Sequence, residues 1–238
     1  MSRPTEQAVA GPRLDLYRPI HKALRVAMFD TLRRLGAMDV DDPEELEGSL
    51  GQAEQLLALL AGHLKHENDF LHTAIEARRP CSAQRSADEH RDHLESIGTL
   101  TDELAALRQA PAAERARLAH RLYQHLGLFV AENLEHMQFE ETQNNAALWA
   151  LYSDAELAAL HGRLSASIEP RELMQALGWM AHALNAAELA GLFHGMRAKA
   201  PPEAFDAALA AARARLDDTR WARLARSLGL APVPGLAA

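Results

Sequence analysis

Apolar residues recur along almost the whole chain at intervals of three and four, and the breaks between the runs carry helix-end chemistry. Leu46, Leu50, Ala53, Leu57 and Leu60 form one such stripe, continuing toward Phe70. Asp42-Pro43-Glu44-Glu45 opens it with a capping aspartate, a proline where no amide hydrogen is needed, and a carboxylate at the third helical position. Ile20, Leu24, Met28, Leu32 and Leu35 follow Pro19 in the same way up to Gly36. Ser86-Ala87-Asp88-Glu89 reads as a capping box before Leu94, Ile97, Leu104 and Leu107. Pro111 starts a fourth run through Leu118, Leu122, Leu126, Phe129, Leu134 and Phe139, reaching toward Trp149. No alternating segment or Asn-Gly turn competes with this pattern, β-branched residues are scarce, and aromatics make up only 5% of the chain. The expected fold class is all-α.

The runs divide the chain. Residues 1–13 carry Pro4, Gly11 and Pro12 with no apolar stretch, and are expected to be disordered and not a signal peptide. Residues 14–150 hold four long helices, expected as an antiparallel up-down four-helix bundle. Ser153-Asp154-Ala155-Glu156 is a further capping box, and 151–238 reads as a helical appendage, a lid or interaction region. It is broken at Glu169-Pro170, near Asn185 and at Pro201-Pro202, with last helices from about Glu203 and Thr219 and a frayed tail at Pro232-Val233-Pro234-Gly235. Its apolar positions Leu173, Leu177, Met180 and Leu184 must cover the bundle or a second chain, so a homodimer through these helices is one expectation.

Charge and cysteine usage remove several functions. The chain has 25 basic against 33 acidic residues, a net charge of −8, with no basic run, so no nucleic-acid partner is expected. Cys81 is the lone cysteine, which rules out an intramolecular disulfide framework or a cysteine zinc ribbon. No uncharged apolar stretch reaches membrane-spanning length, and a cytoplasmic location is expected. Ser165 and Ser167 have no partnered histidine, and no glycine-rich phosphate loop is present.

The histidines are informative. Nine of the twelve precede residue 137. On a helix, His63 and Glu67 are four apart and lie within about 40° of one another; His136 and Glu140 repeat the spacing. His21 shares the stripe of Leu24 and Met28, and His90 lies on the side that continues through Leu94 and Ile97. Each of four helices thus offers one inward imidazole, and two add a carboxylate one turn away. That is too many ligands for one tetrahedral zinc with an open position. It suits two ions bridged by Glu67 and Glu140, with imidazoles as terminal ligands.

His63-Leu64-Lys65-His66-Glu67 and His136-Met137-Gln138-Phe139-Glu140-Glu141 resemble the hemerythrin, or HHE cation-binding, family. That pattern is a lone histidine on helix one, HxxxE on helix two, a histidine on helix three and HxxxE or HxxxxD/E on helix four. The phrase Tyr17-Arg18-Pro19-Ile20-His21-Lys22-Ala23-Leu24-Arg25 is similar to the bacterial branch, and the resemblance covers about residues 14–150. It implies two non-haem irons bridged by carboxylates and an oxo or hydroxo group. Oxygen carriers of the family have two histidines one turn apart on helix three; here His90 and His93 are three apart. At about 1.5 Å per residue, His136 lies about 36 Å down its helix, His90 about 27 Å and His93 about 22 Å. His90 is therefore the expected ligand and His93 a fifth candidate. Glu141 also meets a family spacing, but Glu140 matches the geometry of Glu67. His66, about 60° round from His63, is a further secondary candidate. His125, about 16 Å from His136 along its helix, reads as core or gate. His72, His120, His161 and His194 are expected at the surface, and His182 in the core or over the bundle mouth.

A histidine-rich set favours diferrous iron and reversible contact with a diatomic ligand, whereas carboxylate-rich centres favour higher oxidation states. The first expectation is a protein that binds O2 or NO, or senses or handles iron. The alternatives are a di-iron enzyme turning over peroxide, O2 or NO, an iron donor for damaged centres, and a helical interaction module with an empty or zinc-loaded cluster. The redox partner is not specified by these residues.

Overall fold

A computed structural model describes residues 13–230, and every regular element among them is helical. The expected tail at Pro232–Gly235 and the first twelve residues lie outside the described residues. In chain order the helices are α1 (Arg18–Ala37), α2 (Pro43–His66), α3 (Thr73–Arg78), α4 (Gln84–Gln109), α5 (Ala112–Phe139), α6 (Asn145–Leu151), α7 (Asp154–Ser167), α8 (Pro170–Ala183), α9 (Ala186–Lys199), α10 (Pro202–Arg215) and α11 (Asp218–Ser227). Two junctions are not breaks. A π-helical turn, Glu67–His72, carries α2 directly into α3, and a second, Glu140–Asn144, carries α5 into α6.

Local chemistry fixes most of the ends. Asp42 accepts the amides of Glu44 and Glu45 at 2.9 and 3.2 Å, taking up donors that have no partner within α2. Ser153 with Glu156 and Asn185 with Glu188 make complete capping boxes at α7 and α9. The expected box at Ser86 does not form. α4 begins two residues earlier, Ser86 is buried inside it, and its hydroxyl accepts from Asn144 at 3.0 Å. Arg13, expected in a disordered segment, is instead held by Asp154 and by the carbonyls of Trp149 and Tyr152, at 2.6–2.7 Å. The turn between α3 and α4 places Cys81 at φ 65°, a left-handed conformation steadied by the Glu76 carboxylate, which accepts the amides of Cys81 and Ala83 at 2.6 Å.

Four long helices close a ring of contacts: α1 touches α2 and α5, and α4 touches the same two. Their inner faces bury Leu24, Met28, Leu50, Leu57, Leu60, Leu64, Leu100, Leu104, Leu126 and Phe129 in one cluster. On α4 the buried stripe runs through His90, His93, Ile97 and Leu100, while Leu94, expected on that stripe, is 44% exposed. A second apolar cluster caps one end of the ring. Tyr17, Leu71, Ile75 and Leu148 meet Leu157 and Leu160 of α7 there. The segments beyond the two π turns thus supply part of this cap.

The C-terminal helices have their own cluster, with Leu177, Leu184, Phe193, Phe205 and Leu216 at its centre. The apolar faces that the sequence left without a partner are therefore covered within the chain. α8 is the joint: it contacts α1 and α2 on one side and α10 on the other, and its Ala176 and Trp179 pack on the core of the ring. Lys22 to Glu188 at 2.7 Å and Gln175 to the Gln55 carbonyl at 2.9 Å add polar ties. No helix among the described residues is long and apolar enough to cross a membrane.

Candidate metal centre

Between the core of the ring and its apolar cap lies one layer of polar side chains. Its centre is the pair Glu67 and Glu140, each at the start of a π turn and each buried. The ligand atoms of His21, His63, Glu67 and Glu140 lie within 4.8 Å of one another, and so do those of Glu67, His90, His136 and Glu140. The two sets share both carboxylates. His63 Nε2 is 3.3 Å from Glu67, and His136 Nε2 is 3.3 Å from Glu140, as the i,i+4 spacing requires. His21 reaches across from α1 to Glu67 at 3.4 Å and Glu140 at 3.5 Å; His90 reaches from α4 to both at 3.5 Å. His90 Nε2 and His136 Nε2 converge to 2.9 Å.

The outer nitrogens of His21, His72, His90 and His136 are also engaged, which fixes ring orientation and tautomer. His136 donates through Nδ1 to Glu89 at 2.8 Å, and His21 to Glu141 at 3.1 Å. Glu141 is in turn bound by Arg25 at 2.6 Å. Asn68, the second residue of the first π turn, accepts from His90 at 2.9 Å and from His72 at 3.0 Å. In each case Nε2 is left facing the carboxylate pair.

The six residues singled out as ligands are thus brought together. The secondary candidates have other partners. Glu141 backs His21, and His66 sits 3.3 Å from Glu172 of α8, away from the cluster. His93 is buried with its ring 5.0 Å from His136 and its Nδ1 unpartnered, but it belongs to neither set. His125 is half-buried and bonded to Glu103 at 3.2 Å. His120, His161 and His194 are exposed as expected. His182 is exposed too, and lines a cleft between α1, α2, α8 and α10 instead of covering the cluster.

His72 overturns its expected surface position. It is buried, its ring lies 4.7 Å from that of His90, and its Nε2 is 3.3 Å from Glu140. In an uninterrupted α-helix it would stand about 180° from His63. The π turn takes one extra residue and sets everything after it back by about 100°, which swings His72 inward. Periodicity gives no sign of such a turn. Tyr17 was also missed, although it precedes His21 by one helical turn. Its ring is wholly buried, 5.4 Å from His21, and its hydroxyl has no partner.

Electrostatics divides the two carboxylates. Burial and the charge of Glu140 push Glu67 up to about 7. Burial also acts on Glu140, but hydrogen bonds from His136, His72 and His90 outweigh it and hold Glu140 well below the usual carboxylate range. Burial opposes charge on His21, yet the neighbouring Glu141 and Glu67 carry it up to about 9. His136 rises to about 9 against the same burial because of Glu140 and Glu89. Burial and the neighbouring His21 push His63 well down. One imidazole in each set, His21 and His136, is thus held toward its charged form.

The cluster also leaves atoms unsatisfied. His21 Nε2, His63 Nε2, both oxygens of Glu67 and Glu140 Oε2 are buried without a hydrogen-bond partner. An unfilled buried polar atom costs about 1–3 kcal/mol. Several of them together would approach the entire net stability of a domain, about 5–15 kcal/mol. Imidazole and carboxylate ligands converging at these distances could hold a metal ion, which would displace the protons on His21 and His136 and satisfy these atoms together. No protein-family model, curated protein or solved structure matches the chain.

Proposed function

We propose that the chain is a hemerythrin-like non-haem di-iron protein, an antiparallel up-down four-helix bundle that binds O2 or NO at a carboxylate-bridged, histidine-rich centre. The observation that carries the reading is the pair of overlapping ligand sets, which share Glu67 and Glu140 and take His21 and His63 on one side, His90 and His136 on the other. Two such sets are what a pair of ions bridged by two carboxylates requires. Iron bound there would supply reversible contact with a diatomic ligand, favoured in the reduced state by four imidazoles against two carboxylates. The chain's own part is to hold three of those imidazoles, His21, His90 and His136, by their outer nitrogens through Glu141, Asn68 and Glu89, and to keep bulk water out between two apolar layers.

A second reading is turnover of peroxide, O2 or NO. It is favoured by the position of His93 outside both sets, since four imidazoles leave more exchangeable positions on two ions than five do. Metal analysis and an optical spectrum of the full-length protein test both readings. About two irons per chain with ferric bands in the near ultraviolet is the expected result. A single zinc or no metal would defeat it and leave a helical interaction module. Reduced protein that takes up O2 or NO and returns it unchanged on deoxygenation supports binding; consumption of the ligand supports the enzyme.

A further inference from the structure

A cleft of about 470 Å³ runs along the surface between α4 and α5 and ends on Glu89, His93 and His136. Its outer end is marked by His125, eleven residues before His136 on α5, a separation of about 16 Å. The mouth is acidic. Asp92 and Glu95 from α4 and Glu132 from α5 are exposed and line it, and none has a cation within ion-pair distance among the described residues. Glu89 and Glu135 also line it and share one arginine, Arg85, at 2.7 and 3.8 Å. The cleft therefore carries five carboxylates against Arg85 and the His136 imidazole, which bonds Glu89.

At its inner end lies His93, 4% exposed, with an unpartnered Nδ1. Its ring is edge-on to that of His136 at 5.0 Å, and so adjacent to one of the two ligand sets. Along the axis of the ring the approaches to the cluster are apolar: the core lies on one side, and the cap of Tyr17, Leu71, Ile75 and Leu148 on the other. On the α1 side the partly exposed pair Glu141–Arg25 closes over His21.

We propose that this cleft is the path by which divalent cations reach the buried cluster, with His93 as the transfer ligand between the carboxylates of the mouth and His136. The inference rests on the reading of the cluster as a metal centre. A hydrated dication meets unpaired carboxylates first, which concentrate it at the surface and replace part of its water shell. His93 then offers a nitrogen at the point where the surface gives way to the interior. Converging charge of one sign in a cleft raises association rates by about 10–1000-fold, an effect that salt suppresses.

The test is the rate of Co(II) binding to chelator-stripped full-length protein, followed by stopped-flow visible absorption. The variant Asp92→Asn/Glu95→Gln/Glu132→Gln is expected to bind the same number of ions at equilibrium, with a second-order rate constant about tenfold lower at low ionic strength. That gap should narrow in high salt. Asp41→Asn/Glu44→Gln/Asp206→Asn removes the same charge from exposed positions outside the cleft and should leave the rate near wild type. Equal rates in the two triple variants would overturn the path. His93→Gln should slow loading without lowering the final stoichiometry; loss of a bound ion would make His93 a resident ligand and overturn its transfer role. Wild-type protein that binds no cobalt at equilibrium would defeat the metal-centre reading itself, and the path with it.

Discussion

Asn68 illustrates how much of this centre depends on single side chains that bind nothing themselves. One amide oxygen takes the Nδ1 protons of both His72 and His90, and so sets which nitrogen each presents to Glu140. Asn68→Ala is expected to leave helix content intact and to weaken metal binding by about 10–100-fold, measured by competition with a chromophoric chelator. Unchanged affinity would show that packing alone orients the two rings. His90→Ala should lose more affinity than His93→Ala, since His90 lies in a ligand set and His93 beside one. The charge pattern makes a separate prediction for metal-free protein. His21 and His136 are carried up to about 9 by their carboxylate neighbours, against about 6.5 in an unfolded chain. A raised folded pKa contributes stability fully below about 6.5 and loses it as pH climbs through 9. Chelator-treated protein should therefore melt at a lower temperature at pH 9 than at pH 7, and a constant midpoint would refute the assignment. Because metal displaces the same protons, affinity should rise over that interval.

At the scale of the element, the two π turns matter most. Each begins at a shared carboxylate and each hands the chain on to a short helix that helps cap the ring. A π turn is one residue more than an α turn needs, so removing that residue should restore a plain helix and leave the segment beyond it in place. Deletion of Asp69, whose side chain is half-exposed and pairs only with Lys65, is expected to fold with Leu71, His72 and Ile75 still buried but with Asn68, which precedes the deletion, displaced and metal affinity reduced. Deletion of Gly98 within α4 has no such slack. It would rotate one end of that helix by about 100° relative to the other and should destabilise the protein strongly, as urea unfolding would show. These turns also mark where the sequence stops being legible. Caps at Asp42, Ser153 and Asn185, prolines at 19 and 170, and the HxxxE spacings announce most helix ends and six of the clustered residues, because those signals are local. His72, Asn68 and the burial of Ser86 depend on an extra residue in a turn and on a neighbouring helix, neither of which leaves a periodic trace.

For the whole molecule, α8 decides whether the chain behaves as one cooperative unit. Trp179 and Ala176 join the core of the ring while Leu177 and Ala181 join the C-terminal cluster, so the helix has one face in each. Trp179→Ala is expected to cost about 3 kcal/mol and to divide a single urea transition into two, one for the ring and one for α9–α11. A single transition merely shifted in midpoint would show that the ties through Lys22 and Gln175 suffice. The helix start at Ser153 was readable from its capping box; the docking of α8 against α1 was not, since it depends on which face a distant helix presents. Because the polar layer lies between two apolar ones, an ion using the proposed path would both enter and leave sideways, between α4 and α5. On that path, occupancy over short times would be set by how fast the gap is traversed and not by equilibrium with the surroundings. Two molecules of identical sequence in the same solution would then hold different occupants, each keeping the history of where it was when it was filled.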